Sequence, residues 1–177
     1  MSSLIYLASA APIAPRPNPH DRMVSVNEAL ALGVKVHDFM LAPGFDRDKP
    51  GVLLVADREV IFDVDNKRVI DGDHDDDFGF FPLTGGEDIR TKLPHLLEFE
   101  MMRYTEGRAR EIIRLFGTWL QDAEELEFWH IYMGMEEALV RWREVRYDAL
   151  TEEDIRWVVE AEVGYPDVPQ HCLRIYK

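Results

Sequence analysis

The sequence predicts an α+β fold in which a largely antiparallel sheet packs against two to three helices. Two observations lead to this prediction: short runs of strand-forming residues outnumber helical segments, and tight turns join several of these runs. Tight turns connect antiparallel neighbours, whereas parallel strands need a long crossover connection. No linker or internal repeat divides the 177 residues, so a single domain over residues 1–177 is predicted.

The N-terminal segment is predicted to form a strand, an extended connection and a short helix. Leu4–Ala8 is apolar and includes a tyrosine, which favours a strand. Four prolines between residues 12 and 19 exclude a helix there. Ser25 and Glu28 then form the S-x-x-E pattern of a capping box, and Gly33 stands where a C-terminal cap belongs.

β-Branched and aromatic runs predict strands in the middle of the chain. Val52–Ala56 and Val60–Val64 are separated by a short polar turn and are predicted to form a hairpin. A second turn at residues 65–67 allows Arg68–Ile70 to add a short third strand. The aromatic residues of Asp77–Leu83 indicate a further strand before a Gly-Gly break.

The clearest helix follows Thr105, a residue type suited to the N-cap position. Before it, Leu96–Met102 alternates only in part and fits either a strand or the onset of a helix. After it, apolar residues recur at the spacing of one buried helical face: Ala109, Ile112, Ile113, Phe116 and Leu120.

Two strands and one helix complete the predicted fold. Glu127–Met133 is dense in strand formers and is predicted to be a central or half-buried strand. Thr151 and Asp154 form another capping box, and the first helical turn carries glutamates, which the helix dipole favours. Cys172–Tyr176 is predicted to return to the sheet as the C-terminal strand.

Net charge is the most unusual property of the sequence. Twenty lysines and arginines against thirty-four aspartates and glutamates give 20 − 34 = −14 at pH 7. Such a field repels the phosphates of nucleic acids and of anionic membranes, so neither is an expected partner. It favours a basic protein partner, a cationic ligand or a divalent metal ion, although a high net charge also serves solubility alone.

The sequence lacks the features of a secretory signal or a membrane span, which predicts a cytoplasmic protein. Leu4–Ala14 is apolar, but no lysine or arginine precedes it and Pro12 interrupts it, unlike a secretory signal. No stretch approaches the roughly 20 apolar residues that span a bilayer. The single cysteine, Cys172, is predicted to be a structural thiol, because the neighbouring His171 would point to the opposite face of a strand.

The densest polar cluster is the acidic loop, residues 71–77, which reads Asp-Gly-Asp-His-Asp-Asp-Asp. Divalent cations prefer several oxygen ligands from a flexible loop, and this loop supplies five carboxylates. It departs from an EF-hand loop counted from Asp71, because position six is Asp76 rather than glycine and position twelve is Pro82 rather than glutamate. The candidate metal ligands are Asp71, Asp73, His74, Asp75 and Asp77. The alternative is a solvated loop, and no other cofactor is predicted.

No catalytic residue can be assigned from the sequence. The nucleophile elbow G-x-S-x-G, the phosphate-binding patterns G-x-G-x-x-G and Walker A, and the zinc motif H-E-x-x-H do not occur. Glu98 and Glu100 would share one face of a strand and could act as a carboxylate pair. Exposed acids on a half-buried strand explain these two glutamates equally well.

The candidate residues for binding a partner are Trp129, His130 and Trp142. His130 lies within an aromatic run that would perturb its pKa. The alternative is a core histidine whose hydrogen bonds are satisfied. Trp142 lies between Arg141 and Arg143, and an exposed tryptophan suits a protein-binding surface. A strand with a basic outer face explains the same residues.

Three short segments resemble small bacterial cytoplasmic proteins of unknown function: Ile5–Ala8, Gly72–Phe80 and Glu127–Gly134. Those proteins open on a short strand followed by prolines, and they carry a Gly-x-His segment rich in glycine and cysteine in mid-chain. They then place a helix before an aromatic strand. In this sequence Asp76 and Asp77 stand where the cysteines are expected, so a metal or redox role does not carry over. The resemblance implies no activity.

Two functions from different classes fit the sequence. The first is a non-enzymatic binding or regulatory protein, such as an immunity-type protein that neutralises a basic toxin. Its small size, its charge of −14 and its lack of a catalytic motif favour this function. The second is a divalent-metal-dependent enzyme that uses the acidic loop 71–77 together with His74.

Overall fold

A computed structural model describes residues 3–56, 61–63, 68–70, 74–83, 89–134, 138–162 and 169–177, with the backbone alone for 61–63 and 68–70. The elements are, in chain order, β1 (Ser3–Ser9), β2 (Asp21–Val24), α1 (Val26–Ala31), β3 (Leu53–Ala56), β4 (Ile61–Asp63), β5 (Arg68–Ile70), β6 (Gly79–Pro82), β7 (His95–Glu100), α2 (Glu106–Trp119), β8 (Glu125–Tyr132), β9 (Val140–Arg146), α3 (Glu152–Val159) and β10 (Gln170–Tyr176). No helix in these ranges is long and apolar enough to cross a membrane.

The chain divides into two compact units. Met1–Pro17 together with His74–Lys177 form the first, the sheet unit, and Asn18–Asp73 form the second, the ribbon unit. The single domain that the sequence predicts over residues 1–177 stays a prediction.

A six-stranded sheet with the strand order β6-β7-β1-β8-β10-β9 forms the centre of the sheet unit. Its pairings are antiparallel except for that of β10 with β9, which is parallel. β8 lies between β1 and β10, so the predicted central strand is confirmed. Of the ambiguous segment Leu96–Met102, the part up to Glu100 belongs to strand β7 and not to a helix. Leu97 and Phe99 alternate into the core along this strand. These strands and helices confirm the α+β class.

Both α2 and α3 pack on one face of this sheet. Their buried side chains form one cluster with side chains that point inward from the strands. The helices contribute Ala109, Ile112, Phe116, Ile155 and Val158, and the strands contribute Leu7, Phe80, Leu97, Phe99, Leu126, Phe128, Leu173 and Ile175. Each helix begins at its predicted cap. The Thr105 hydroxyl oxygen accepts from the Arg108 amide at 3.1 Å. The Thr151 amide and hydroxyl both donate to Asp154 Oδ2, at 3.0 and 2.8 Å.

The opposite face of the sheet carries a smaller buried cluster, formed by Tyr6, Ala8, Trp129, Ile131 and Cys172. Burial raises the pKa of the Cys172 thiol well above its ordinary value, so the reactive thiolate is disfavoured. His171, its neighbour in the chain, points to the helix side of β10. Cys172 is thus buried away from His171, in accord with a structural thiol.

The ribbon unit contains two pairs of strands and α1. β3 pairs with β2, which places Leu54 opposite Met23, while β4 pairs with β5. The prediction that Val52–Ala56 pairs with Val60–Val64 in a hairpin is therefore wrong for the described residues, because β3 and β4 each pair with another strand. The predicted short strand Arg68–Ile70 is confirmed as β5. β2 escaped prediction because only its last residue is buried, so its sequence has no apolar alternation.

α1 is the helix that the capping box of Ser25 and Glu28 predicts. The Ser25 hydroxyl oxygen accepts from the Glu28 amide at 3.2 Å, and the Glu28 carboxylate accepts from the Ser25 amide at 2.6 Å. Gly33 follows the helix with φ 77°, the left-handed conformation that glycine adopts without strain.

Candidate functional site

The acidic loop ends in a buried ion pair. The Arg108 guanidinium donates to Asp77 Oδ2 at 3.1 Å, and both side chains are 0% exposed. The same guanidinium donates through Nε to the carbonyl of His74 and through Nη1 to the carbonyl of Arg103, each at 3.0 Å. Asp77 therefore fixes the loop to the first turn of α2, a role that the sequence pattern did not indicate.

Two further contacts hold the same loop. The Asp75 carboxylate lies so close to Gly107, in the first turn of α2, that a Cβ at Gly107 would overlap it. Negative charge is stabilised there by the amides and the dipole of the helix N-terminus. Arg16 donates to the carbonyls of Asp76 and Phe78, and its guanidinium carbon lies 4.1 Å from the centre of the Phe78 ring.

The metal-site hypothesis for this loop stays a prediction. Asp71 and Asp73 lie outside the described residues. Of the other candidate ligands, His74 and Asp75 are exposed and Asp77 is bound to Arg108. A metal ion that used the Asp77 carboxylate would have to compete with a buried guanidinium.

The structure brings two of the three candidate binding residues together and separates His130 from them. Trp129 and Trp142 lie on the helix-free face of the sheet, with ring centroids 5.0 Å apart and planes at 78°. Trp129 is buried and donates from its indole to Glu127 Oε2 at 2.9 Å, whereas Trp142 is 52% exposed. His130 points to the opposite face, towards α3. The three side chains therefore do not form one surface.

His130 and His171 form a histidine pair on the helix side of the sheet. They are directly opposite each other in the antiparallel pairing of β8 with β10. His130 Nδ1 lies 2.8 Å from the carbonyl oxygen of Val158, and His171 Nδ1 lies 3.0 Å from that of Trp157. Because a carbonyl oxygen can only accept, both Nδ1 atoms carry a proton. Each ring is thus fixed to the C-terminal turn of α3.

Burial lowers the pKa of both histidines, which favours the neutral rings. For His130, desolvation is the main cause and the proximity of His171 adds to it, while the hydrogen bond to Val158 opposes it. For His171, desolvation again dominates, and Arg141 and Arg143 add to it. Since each neutral ring carries its proton on Nδ1, its Nε2 has a free lone pair. His130 Nε2 is buried and has no hydrogen-bond partner among the residues that the structure describes.

Aromatic and basic groups pack against the pair. The Trp157 ring is stacked on His171, with centroids 4.4 Å apart and planes at 20°. Arg143 lies 4.5 Å from the Trp157 ring centre and donates to Asp154 Oδ1 at 2.9 Å. These contacts fix His171 from the α3 side as well.

A second candidate site is the acidic cleft, a cavity of about 470 Å³ in the sheet unit. Its lining comes from β1, from β7 and the turn that follows, and from the C-terminal end of α3: Ser3, Leu4, Ile5, Glu98, Phe99, Glu100, Met101, Met102, Arg103, Tyr104, Val159 and Glu160. Three of these residues are glutamates and one is an arginine. The sequence pattern indicates Glu98 and Glu100 as a carboxylate pair but not Glu160, which lies 60 positions further along the chain.

The charged side chains of the cleft differ in their surroundings. Glu100 is exposed and Glu98 is half-buried. Glu160 accepts from Arg156 Nε at 2.6 Å on the surface of α3. Tyr104 donates to the Glu152 carbonyl at 3.0 Å, and burial raises the pKa of its hydroxyl. The cleft lining thus includes glutamate, methionine and tyrosine residues, and Glu98 and Glu100 lie on the opposite face of β7 from the core residues Leu97 and Phe99.

Comparison with known proteins gives no relative to guide the choice between these sites: no family model, no curated protein and no solved structure matches the chain.

Proposed function

We propose that the protein is a non-enzymatic binding protein, of the immunity type, that recognises a basic protein partner through the acidic cleft. One observation carries the proposal: a cavity of about 470 Å³ has three glutamates and one arginine in its lining, on a chain of net charge −14. A cavity of this size admits a lysine or arginine side chain.

The chemistry of the lining suits such a side chain. An ammonium or guanidinium group would form charge-assisted hydrogen bonds with Glu98 and Glu100, which are stronger than neutral ones. The aliphatic stem of a lysine or arginine would pack on Met101 and Met102, whose thioether side chains adapt to irregular surfaces. Tyr104 would add an aromatic face.

The net charge supports the same partner at longer range. The electric field of a chain with net charge −14 raises the local concentration of a cationic protein and speeds its approach, while salt screens both effects. Charge complementarity acts on specificity and association rate more than on affinity. Specific recognition would then depend on the cleft rather than on the whole surface.

A labelled octalysine peptide tests this proposal by fluorescence anisotropy, with octaglutamate as the control peptide. We expect saturable binding of octalysine that weakens as salt is raised, and no binding of octaglutamate. Replacing the cleft glutamates (Glu98→Gln, Glu100→Gln, Glu160→Gln) is expected to weaken octalysine binding at least tenfold.

A matched variant separates the cleft from net charge. Asp122→Asn, Glu124→Gln and Asp148→Asn remove the same three charges from exposed positions outside the cleft lining. We expect this variant to lose far less affinity. Equal losses in the two variants would show that binding follows net charge alone, and would overturn the proposal.

The divalent-metal-dependent enzyme remains the alternative function. It requires the acidic loop to release Asp77 from Arg108 or to bind a metal ion through its remaining carboxylates. Thermal unfolding with magnesium, calcium, manganese or zinc ions tests it, and Asp73→Ala should abolish any stabilisation that arises at the loop.

A further inference from the structure

We propose that His130 and His171 together bind one transition-metal ion of the class that prefers imidazole nitrogen, with zinc as the representative ion. The proposal concerns the helix side of the sheet and does not depend on the acidic cleft or on the acidic loop.

The two rings are held as metal-binding histidines are held. Metal-binding histidines usually donate their second ring N–H to a carbonyl or carboxylate, which fixes the tautomer and the orientation of the ring. Both rings show this arrangement, since Nδ1 of each meets a main-chain carbonyl of α3 at 2.8 or 3.0 Å. The carbonyls belong to consecutive residues, Trp157 and Val158, so one turn of helix orients both imidazoles.

His130 also has an unsatisfied ring nitrogen. Its side chain is 6% exposed, and within the described parts of the chain its buried Nε2 has no hydrogen-bond partner. Buried polar atoms are nearly always satisfied, and leaving one unpaired is destabilising. A bound cation would satisfy the lone pair of this nitrogen.

The two residues are also neighbours in the sheet. Directly opposed residues of an antiparallel pair have Cβ atoms about 4.5–5.5 Å apart, so the two imidazoles project side by side from the helix face of the sheet. Neutral imidazole is the form that coordinates zinc, copper and nickel. The pair would supply two imidazole ligands to such an ion.

Asparagine variants separate metal binding from a purely structural role. The side-chain amide of asparagine places a donor near the position of Nδ1 but has no nitrogen at the position of Nε2. His130→Asn and His171→Asn can therefore still donate to α3 while losing the metal ligand. His95→Asn, in β7, is the matched control outside the pair.

The experiment is a calorimetric titration of the tag-free protein with zinc chloride, repeated with cobalt(II) and its visible absorption as the probe of coordination. We expect one ion per chain for the wild type and for His95→Asn, and at least a tenfold loss of affinity in each variant of the pair. Thermal unfolding without metal establishes that the variants fold; if one does not, the other decides the question.

Three outcomes would overturn the inference: no zinc binding by the wild type, unchanged affinity in both variants of the pair, or a loss of binding in His74→Asn alone. The last result would place the ion at the acidic loop instead. None of these outcomes bears on octalysine binding, so the proposed function and this inference fail independently.

Discussion

The carboxylate of Asp77 meets the guanidinium of Arg108 at 3.1 Å, and neither side chain is exposed to solvent. Removing one member of a buried ion pair typically destabilises a protein by about 3–5 kcal/mol. We therefore expect Asp77→Asn to lower the free energy of unfolding, measured by urea denaturation, by about this amount.

Asp148→Asn is the matched control for Asp77→Asn. It breaks the exposed ion pair of Asp148 with Arg146, which should have little effect because solvent screens it. A loss for Asp77→Asn as small as the loss for Asp148→Asn would contradict the structural role assigned to the end of the acidic loop.

Gly117→Ala in α2 tests packing against helix propensity. Alanine is favoured over glycine inside a helix by about 1 kcal/mol, so propensity alone predicts a gain in stability. A Cβ at Gly117 would, however, overlap the hydroxyl end of the Tyr147 ring. Overpacking of this kind costs about 1–3 kcal/mol, so we expect a net loss in the free energy of unfolding.

Tyr147→Phe provides the second arm of that experiment. Removing the hydroxyl relieves part of the overlap, so Gly117→Ala should be less harmful in the Tyr147→Phe background than in the wild type. Equal effects in both backgrounds would mean that Tyr147 does not limit the space at Gly117. Thr118→Ala, at the next position of the same helix, where the side chain is exposed, should show the gain that propensity predicts.

The histidine pair makes stability depend on pH in a defined direction. Burial lowers the pKa of His130 and His171 in the folded state below the ordinary value of 6.5, so the unfolded chain binds more protons in this range. Stability is complete above about pH 6.5 and falls as the pH drops below it towards the folded-state pKa values. We expect the melting temperature to fall between pH 7 and pH 5.5.

The double variant His130→Asn and His171→Asn should flatten this part of the pH profile, because asparagine does not titrate. The measurement is thermal unfolding across the pH range, in the wild type and the double variant, without metal ions. An equally steep decline in both proteins would contradict the assignment of the pH dependence to the pair.

Local signals in the sequence were sufficient to predict where the α-helices begin. The hydrogen bonds between Ser25 and Glu28, and between Thr151 and Asp154, join residues three positions apart, so residue type and spacing alone predict them. The central strand β8 was also predictable, because its aromatic and apolar residues are concentrated in a single run.

The sites could be predicted only in part, because their groups meet through strand pairing. Asp77 and Arg108 are 31 positions apart, and no local pattern links them. His130 meets His171 only because β8 pairs with β10 in one register, and a shift by one residue would separate their side chains. The pairing of β2 with β3 could not be predicted either, because these strands are far apart in the chain.

The most direct test of the acidic cleft is its location by nuclear magnetic resonance. Backbone amide spectra of isotope-labelled protein, recorded during titration with octalysine, report which residues sense the peptide. We predict that the largest shift changes fall on Met101–Tyr104, Glu98, Glu100 and Glu160, and that they disappear in the variant with all three cleft glutamates replaced. Changes spread evenly over the exposed acidic residues, or confined to residues outside the cleft lining, would contradict the account.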